Sequence, residues 1–246
     1  MTSGQLRAEL LKQRSTETTL YLFLTMVGLV ALASVLHVLA PAPSDLASRE
    51  HQLQVFEVGT RVGMLFAALV GALAITAELR YGTIRPTFLV TPRRGLVVAA
   101  KLLVSGLAGI AFGLVAEGLM AGATTAALSA RGIHNQLDGA DYLQLLAGGT
   151  AAAALWATLG LGVGALVRNQ VGTLIGLCAW MLLVENLLLP FVPDAGRFTP
   201  GAAGLALAGK TADELLTPAP AALVLLLYAA ALSTAGWLAT LHRDIP

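Results

Sequence analysis

Residues 20–39 read LYLFLTMVGLVALASVLHVL, twenty positions with no acidic residue, no lysine and no arginine. A helix rises about 1.5 Å per residue, so this run covers about 30 Å, the thickness of the hydrocarbon layer of a bilayer. A strand of a membrane barrel would instead alternate apolar and polar residues over about ten positions. The stretch reads as a membrane-spanning helix, and similar runs recur at 58–77, 101–128, 142–167, 171–192 and 219–241. The expected fold is therefore an all-α membrane protein, a bundle of six transmembrane helices occupying residues 19–246. Residues 1–18 stand before it as an amphipathic helix on the membrane surface, with Leu6, Leu10 and Leu11 set against Arg7, Glu9, Lys12 and Arg14.

Composition agrees. Of 246 residues, 57% are hydrophobic and 12% charged, and the mean hydropathy is +0.77. Soluble domains carry roughly 25% charged residues, so this chain lacks the polar surface a soluble fold needs. The same figures exclude disorder, and the 26 glycines follow no three-residue period, which excludes a collagen-like chain. One cysteine, Cys178, allows neither an intramolecular disulfide nor a cluster of thiolate ligands. The charged first 18 residues, followed by a full-length span, do not have the form of a cleavable leader. Glycines four apart (Gly59/Gly63, Gly109/Gly113, Gly118/Gly122, Gly160/Gly164 and Gly172/Gly176) are spaced to let helices approach closely in lipid.

The charges are sorted by side. With the N-terminus cytoplasmic, ten of the 15 basic residues fall on the inner face, five of them between Arg80 and Lys101, and Arg49, Arg61, Arg131, Arg197 and Lys210 fall outside. Basic residues favour the cytoplasmic side, so both termini are expected inside a cell membrane (inner or plasma membrane). A net charge of +1 gives no general attraction to nucleic acid.

Several chemistries can be tested against the pattern. Gly204 to Thr211 read GLALAGKT, which satisfies G-x-x-x-x-G-K-[ST]. A phosphate loop should follow a strand and open a helix, whereas proline-rich sequence precedes this match and a span follows it, so it reads as coincidence. An intramembrane serine protease needs a histidine deep in a span, but His37, His51, His134 and His242 all fall at span ends or in loops. Neither H-E-x-x-H nor a pair of span aspartates is present. No catalytic residue and no metal site is expected in this chain.

Glu117 and Glu185 are the ionisable residues well inside spans. Each costs about 2.5 to 3.5 kcal/mol at mid-bilayer, so both are expected to face the bundle. At roughly 1.5 Å per residue Glu117 lies about 24 Å above Lys101, in the outer half of the membrane. Either they line a translocation path, or they satisfy hydrogen bonds of neighbouring helices.

Two loops exceed simple connectors. Residues 191–217 carry Pro193 and Pro200 among apolar residues, which suits short helices dipping into the membrane from outside. On the inner side, 78–95 holds Glu78, Arg80, Gly82 and Thr83 as E-x-R-x-G-T, then Arg85, then Pro92, Arg93 and Arg94. Gly82 suits a turn, Thr83 can cap a helix starting near Ile84, and Pro92 can stop it. A short surface helix exposing Tyr81 and Phe88 would result, able to bind anionic lipid or a cytoplasmic protein.

In their order along the chain, the inner helix, two spans, E-L-R-Y-G-T with T-P-R-R and A-K, four further spans, the proline-rich outer stretch and the closing H-R-D resemble the ABC-2 type permeases of ATP-binding cassette transporters. The resemblance implies that 78–95 contains a coupling helix docking on a separate cytoplasmic ATP-binding subunit, with Glu78, Arg80, Gly82, Thr83, Arg85, Arg93 and Arg94 in contact or in support. It implies re-entrant outer helices in 191–217 and a dimer with a second permease copy or a paralogue. ATP and Mg would bind in the partner subunit, with no cofactor on this chain, and the expected activity is export of an amphiphilic substrate such as a drug, lipid or peptide. An ion-coupled secondary transporter, relying on Glu117 and Glu185, and a non-transporting scaffold or immunity protein are the other readings.

Overall fold

The structure, a computed structural model, describes residues 3–42, 44–90, 94–210 and 215–242. Among them there is no strand. Helix α1 (Ser3–Ser15) precedes α2 (Glu17–Leu39), and a single 3-10 turn at Asp45–Ala47 leads into α3 (Arg49–Arg80). After α4 (Ile84–Val90) come two long helices, α5 (Arg94–Ala130) and α6 (Gly139–Val167). Next, α7 (Gln170–Ala179) runs through a π-helical turn, Trp180–Val184, into α8 (Glu185–Phe191). The short helices α9 (Pro193–Gly196) and α10 (Pro200–Leu207) then precede α11 (Pro218–His242). Six of these segments are long and apolar enough to cross a membrane: α2, α3, α5, α6, α7 with α8, and α11. The protein is a multi-pass helical membrane protein.

The spans coincide with the apolar runs, but two begin earlier than hydropathy places them. α3 starts at Arg49 and α5 at Arg94: the first two turns of α3, REHQLQV, are polar but hold no proline or glycine that would break a helix, and those of α5, RGLVVAA, carry the apolar run back to Arg94. The segment between α3 and α5 is correspondingly tighter than 78–95: Glu78 and Arg80 end α3, and Lys101 sits two turns inside α5.

Burial divides the bundle. In the apolar windows of α3 and α6, 61% of residues are buried, against 22% in α2 and α11 and 17% in α7 with α8. α3, α5 and α6 form the centre and the others surround it. Missing side chains set the central spacing. A Cβ on Gly71 of α3 would stand 1.8 Å from the Ala157 carbonyl oxygen of α6, and one on Gly160 of α6 2.1 Å from that of Ala68. A Cβ on Gly109 or Gly113 of α5 would also crowd the α6 backbone, at 2.7 and 2.8 Å. Such contact replaces the hydrophobic drive that helices lack in lipid with dense dispersion contact. Three of the five glycine pairs in the sequence (59/63, 109/113 and 160/164) lie at helix contacts. Gly118/Gly122 do not, having no heavy atom within 4 Å, and Gly172 meets only Asn169 of its own first turn.

The end of the bundle remote from α1 is closed by polar stitching. The buried Gln52 donates to the carbonyls of Leu46 (3.0 Å) and His134 (2.9 Å) and accepts from the Gln136 amide (2.9 Å), joining two loops with its amide satisfied. Arg131 donates to the carbonyls of Val38 and Pro41 at the C-terminal end of α2, where a cation also meets the negative end of the helix dipole. Asp138 opens α6 through a capping box with Asp141, and Arg49 pairs with Asp141. α10 is buried from Pro200 to Ala206 and packs on α6, α11 and α3. Its Gly204 lies under the Met64 sulfur, and its C-terminal Leu207 carbonyl lies against Gly148.

Candidate functional site

The arginine-bearing turn is built around Gly82. Its φ of +70° is open to glycine at no cost, and it reverses the chain between α3 and α4. The Thr83 carbonyl accepts from the Thr87 hydroxyl (3.0 Å). α4 is bound to the bundle by Ile84 and Phe88, one turn apart, which pack with Ile75, Val97, Leu161 and Ala165. The expectation of an exposed Phe88 is therefore wrong: the ring is 8% exposed and lies beneath the Arg94 guanidinium, 5.4 Å from its centroid. Tyr81 is exposed, at 71%, and so is Leu89, at 82%. Arg80 lies over the Tyr81 ring and donates to Gln170 (3.2 Å). Of the other residues singled out in this turn, Pro92 and Arg93 lie outside the described residues, as do the closing Arg243 and Asp244, and the Arg85 side chain is likewise not described.

Beside this turn stands a cluster in which Glu78 alone was assigned a role. Lys101 Nζ, 2% exposed, reaches Glu9 Oε2 (2.7 Å), Glu78 Oε1 (2.8 Å) and the Ala74 carbonyl (3.1 Å). Lys12 Nζ bonds Glu9 Oε1 and Glu78 Oε1, both at 2.8 Å. Two ammoniums face two carboxylates, so the cluster is neutral, and it fastens α1 to α3 and α5. α1 thus docks by its charged face, while Leu10 and Leu11 are exposed. A sequence signal existed: a lysine two turns inside an apolar helix demands a buried counter-charge.

Burial opposes the charge of Glu9, but Lys101 and Lys12 outweigh it and hold the carboxyl below its ordinary 4.5. Burial likewise opposes the charge of Lys12, and Glu78 and Glu9 outweigh it and raise the ammonium above 10.5. A depressed carboxylate gives stability that is present above its unfolded value and lost as pH falls through the folded one; a raised ammonium gives stability present below its unfolded value and lost as pH rises through the folded one. α1 should stay docked from pH 4.5 to 10.5 and loosen beyond either limit. A spin-label distance between α1 and α5 that changes within that window would contradict the assignment.

Glu117 is 1% exposed and packs directly on Gly149 of α6, where a Cβ would stand 2.1 Å from its Oε1. Its Oε2 is buried without a hydrogen-bond partner among the described residues. Glu185 accepts from Trp180 Nε1 and from the Gly201 amide, both at 2.8 Å, so its carboxylate sits on the N-terminal turn of α10, where the helix dipole favours negative charge. The two carboxylates face different elements. Between α3 and α10 lies another ion cluster, in which Glu57 pairs with Lys210 (2.6 Å) and Arg61 (2.7 Å), and Arg61 donates to Asn186 (3.1 Å). Lys210 of the GLALAGKT match is thus engaged by a carboxylate, and the match ends a helix where a phosphate loop would open one. Among the described residues no group of histidine, cysteine and acidic side chains could hold a metal ion. No protein-family model matches the chain, and no curated protein sequence matches it.

Proposed function

We propose that the chain is the permease subunit of an ABC-2 type transporter, forming with a second copy or a paralogue the path by which an amphiphilic substrate leaves the cell. The basic end of the bundle is then cytoplasmic, with both termini inside. The observation that carries this reading is α4. It is a short helix gripped by the bundle through Ile84 and Phe88; it presents Leu89 outward, and the turn before it presents Tyr81, beside Arg80 and Arg94. A helix anchored in this way can transmit a push, because displacing it moves the ends of α3 and α5 with it. ATP and Mg act in a separate cytoplasmic subunit, whose cycle shifts the permease between inward-open and outward-open populations. Glu78, Arg80, Gly82, Thr83, Arg85, Arg93 and Arg94 belong to the coupling region, Glu78 through its hold on α1. α9 and α10 supply the re-entrant outer element, and the exposed apolar faces of α2, α7, α8 and α11 are left for lipid and the second copy.

The test is to replace Gly82 and Thr83 together by tryptophan. A side chain at φ +70° is strained, and two indoles would obstruct a docked surface. Loss of co-purification with an ATP-binding cassette protein encoded beside this chain, together with loss of ATP-driven transport in vesicles, is expected. Retention of both would refute the coupling assignment. The unpartnered Oε2 of Glu117 favours a second reading, ion-coupled secondary transport. Uptake driven by a pH gradient in vesicles without any ATP-binding subunit would select it.

A further inference from the structure

The charged residues of α1 are divided between two faces. At about 100° per residue, Arg7, Leu10, Leu11 and Arg14 fall at i, i+3, i+4 and i+7, one stripe of the helix, with Glu9 on the opposite side. Burial follows this division: Glu9 is 6% exposed, whereas Leu10 and Leu11 are 38% and 59% exposed, and Arg7 and Arg14 are exposed with them. Among the described residues Arg7 and Arg14 form no ion pair, in contrast to Glu9 and Lys12, which are spent on the bundle. The outward stripe is two leucines bracketed by two uncompensated positive charges.

Its place in the fold decides what it meets. Thr16 alone separates α1 from α2, whose exposed Leu20 and Tyr21 open a membrane span. On the other flank Glu9 pairs with Lys101, two residues before Leu103, which is exposed on the outside of the α5 span. The apolar outer surface of the bundle thus ends beside the stripe on two flanks, at the level where hydrocarbon gives way to headgroups. A headgroup layer without net charge leaves the two guanidinium charges uncompensated, whereas phosphates of net negative headgroups pair with them, two N–H groups at a time. Two helical turns, about 10 Å, separate the arginines, so they address separate headgroups, and the site is a surface rather than a pocket.

We propose that the outer face of α1 docks on anionic phospholipid, with Arg7 and Arg14 on headgroup phosphates and Leu10 and Leu11 in the boundary layer beneath them. The helix is then held from both sides, by the ion cluster on the bundle and by lipid on the face turned away from it. The inference is independent of whether the chain transports anything.

The test puts one fluorophore on the full-length protein at Ala8→Cys, an exposed position that leaves the stripe intact, in a Cys178→Ala background, Cys178 being the single native cysteine. The protein is placed in vesicles that mix phosphatidylcholine and phosphatidylglycerol, with a trace of one or the other carrying an acceptor dye on its acyl chain. Energy transfer from residue 8 should show phosphatidylglycerol enriched about threefold or more over phosphatidylcholine, and high salt should shrink the ratio. Arg7→Gln combined with Arg14→Gln should bring the ratio to about one with an unaltered melting temperature in detergent, because neither arginine is bonded to the bundle. Equal enrichment of the two lipids in the parent protein, or an undiminished ratio in the double variant, would overturn the proposal. A fluorophore fully quenched by aqueous iodide, with no transfer advantage for either lipid, would also overturn it and leave the face to an acidic protein.

Discussion

Lys101→Met should release α1 from the bundle and destabilise the protein by about 3 to 5 kcal/mol, the usual consequence of removing one partner from a buried ion pair. Methionine matches the length of the lysine stem but leaves Glu9 and Glu78 facing one another with only the half-exposed Lys12 between them. Two carboxylates in that position either repel or take up a proton, and each outcome weakens the hold on α1. The expected readings are a fall in melting temperature in detergent and early proteolytic loss of the first 15 residues. Adding Glu9→Gln and Glu78→Gln should restore most of the stability, because no carboxylate then stays buried without a counter-charge. A single variant that melts with the parent protein would show that the cluster contributes nothing net.

The second large effect belongs to the centre of the bundle. Gly71→Leu asks α3 and α6 to separate, since even the first carbon of the side chain would stand 1.8 Å from the Ala157 carbonyl oxygen. Backbone cannot rotate aside as a side chain does, so the cost should reach about 3 kcal/mol or more, the upper part of the range for overpacking. The control is Gly118→Leu on α5. It meets no heavy atom within 4 Å and should change stability by no more than about 0.5 kcal/mol. Equal melting of the two variants would mean that the central contact is not what sets the helix spacing.

These variants also show how far the sequence could be read. The spans were legible because long apolar runs broken by at most one or two charges have few other uses, and the true start of α3 was not, because polar helical turns continue a helix without extending its hydropathy. Gly82 was legible for a local reason, a turn that needs positive φ. Phe88 was misread because its burial depends on Ile75, Val97 and Leu161, which arrive from three different helices. Gly71 and Gly160 are 89 residues apart and carry the closest approach of α3 and α6, yet only Gly160 belonged to a spaced pair; proximity of this kind arises from the docking of one helix on another. Within the coupling region the residue types pointed to a charged turn, but not to Lys12 and Lys101 as the partners of Glu78, since a pairing across the chain leaves no periodic trace.

The ion cluster also orders events during synthesis. Glu9 and Lys101 are separated by 92 positions, and a ribosome adds roughly 5 to 20 residues per second. Glu9 therefore waits on the order of 5 to 20 seconds before its partner exists. Over that interval Glu9 has only Lys12 of its own helix to pair with, and α3 is made before Lys101 exists. The N-terminal segment is made first and fastened late, so its docking reports that the third span has been inserted in register.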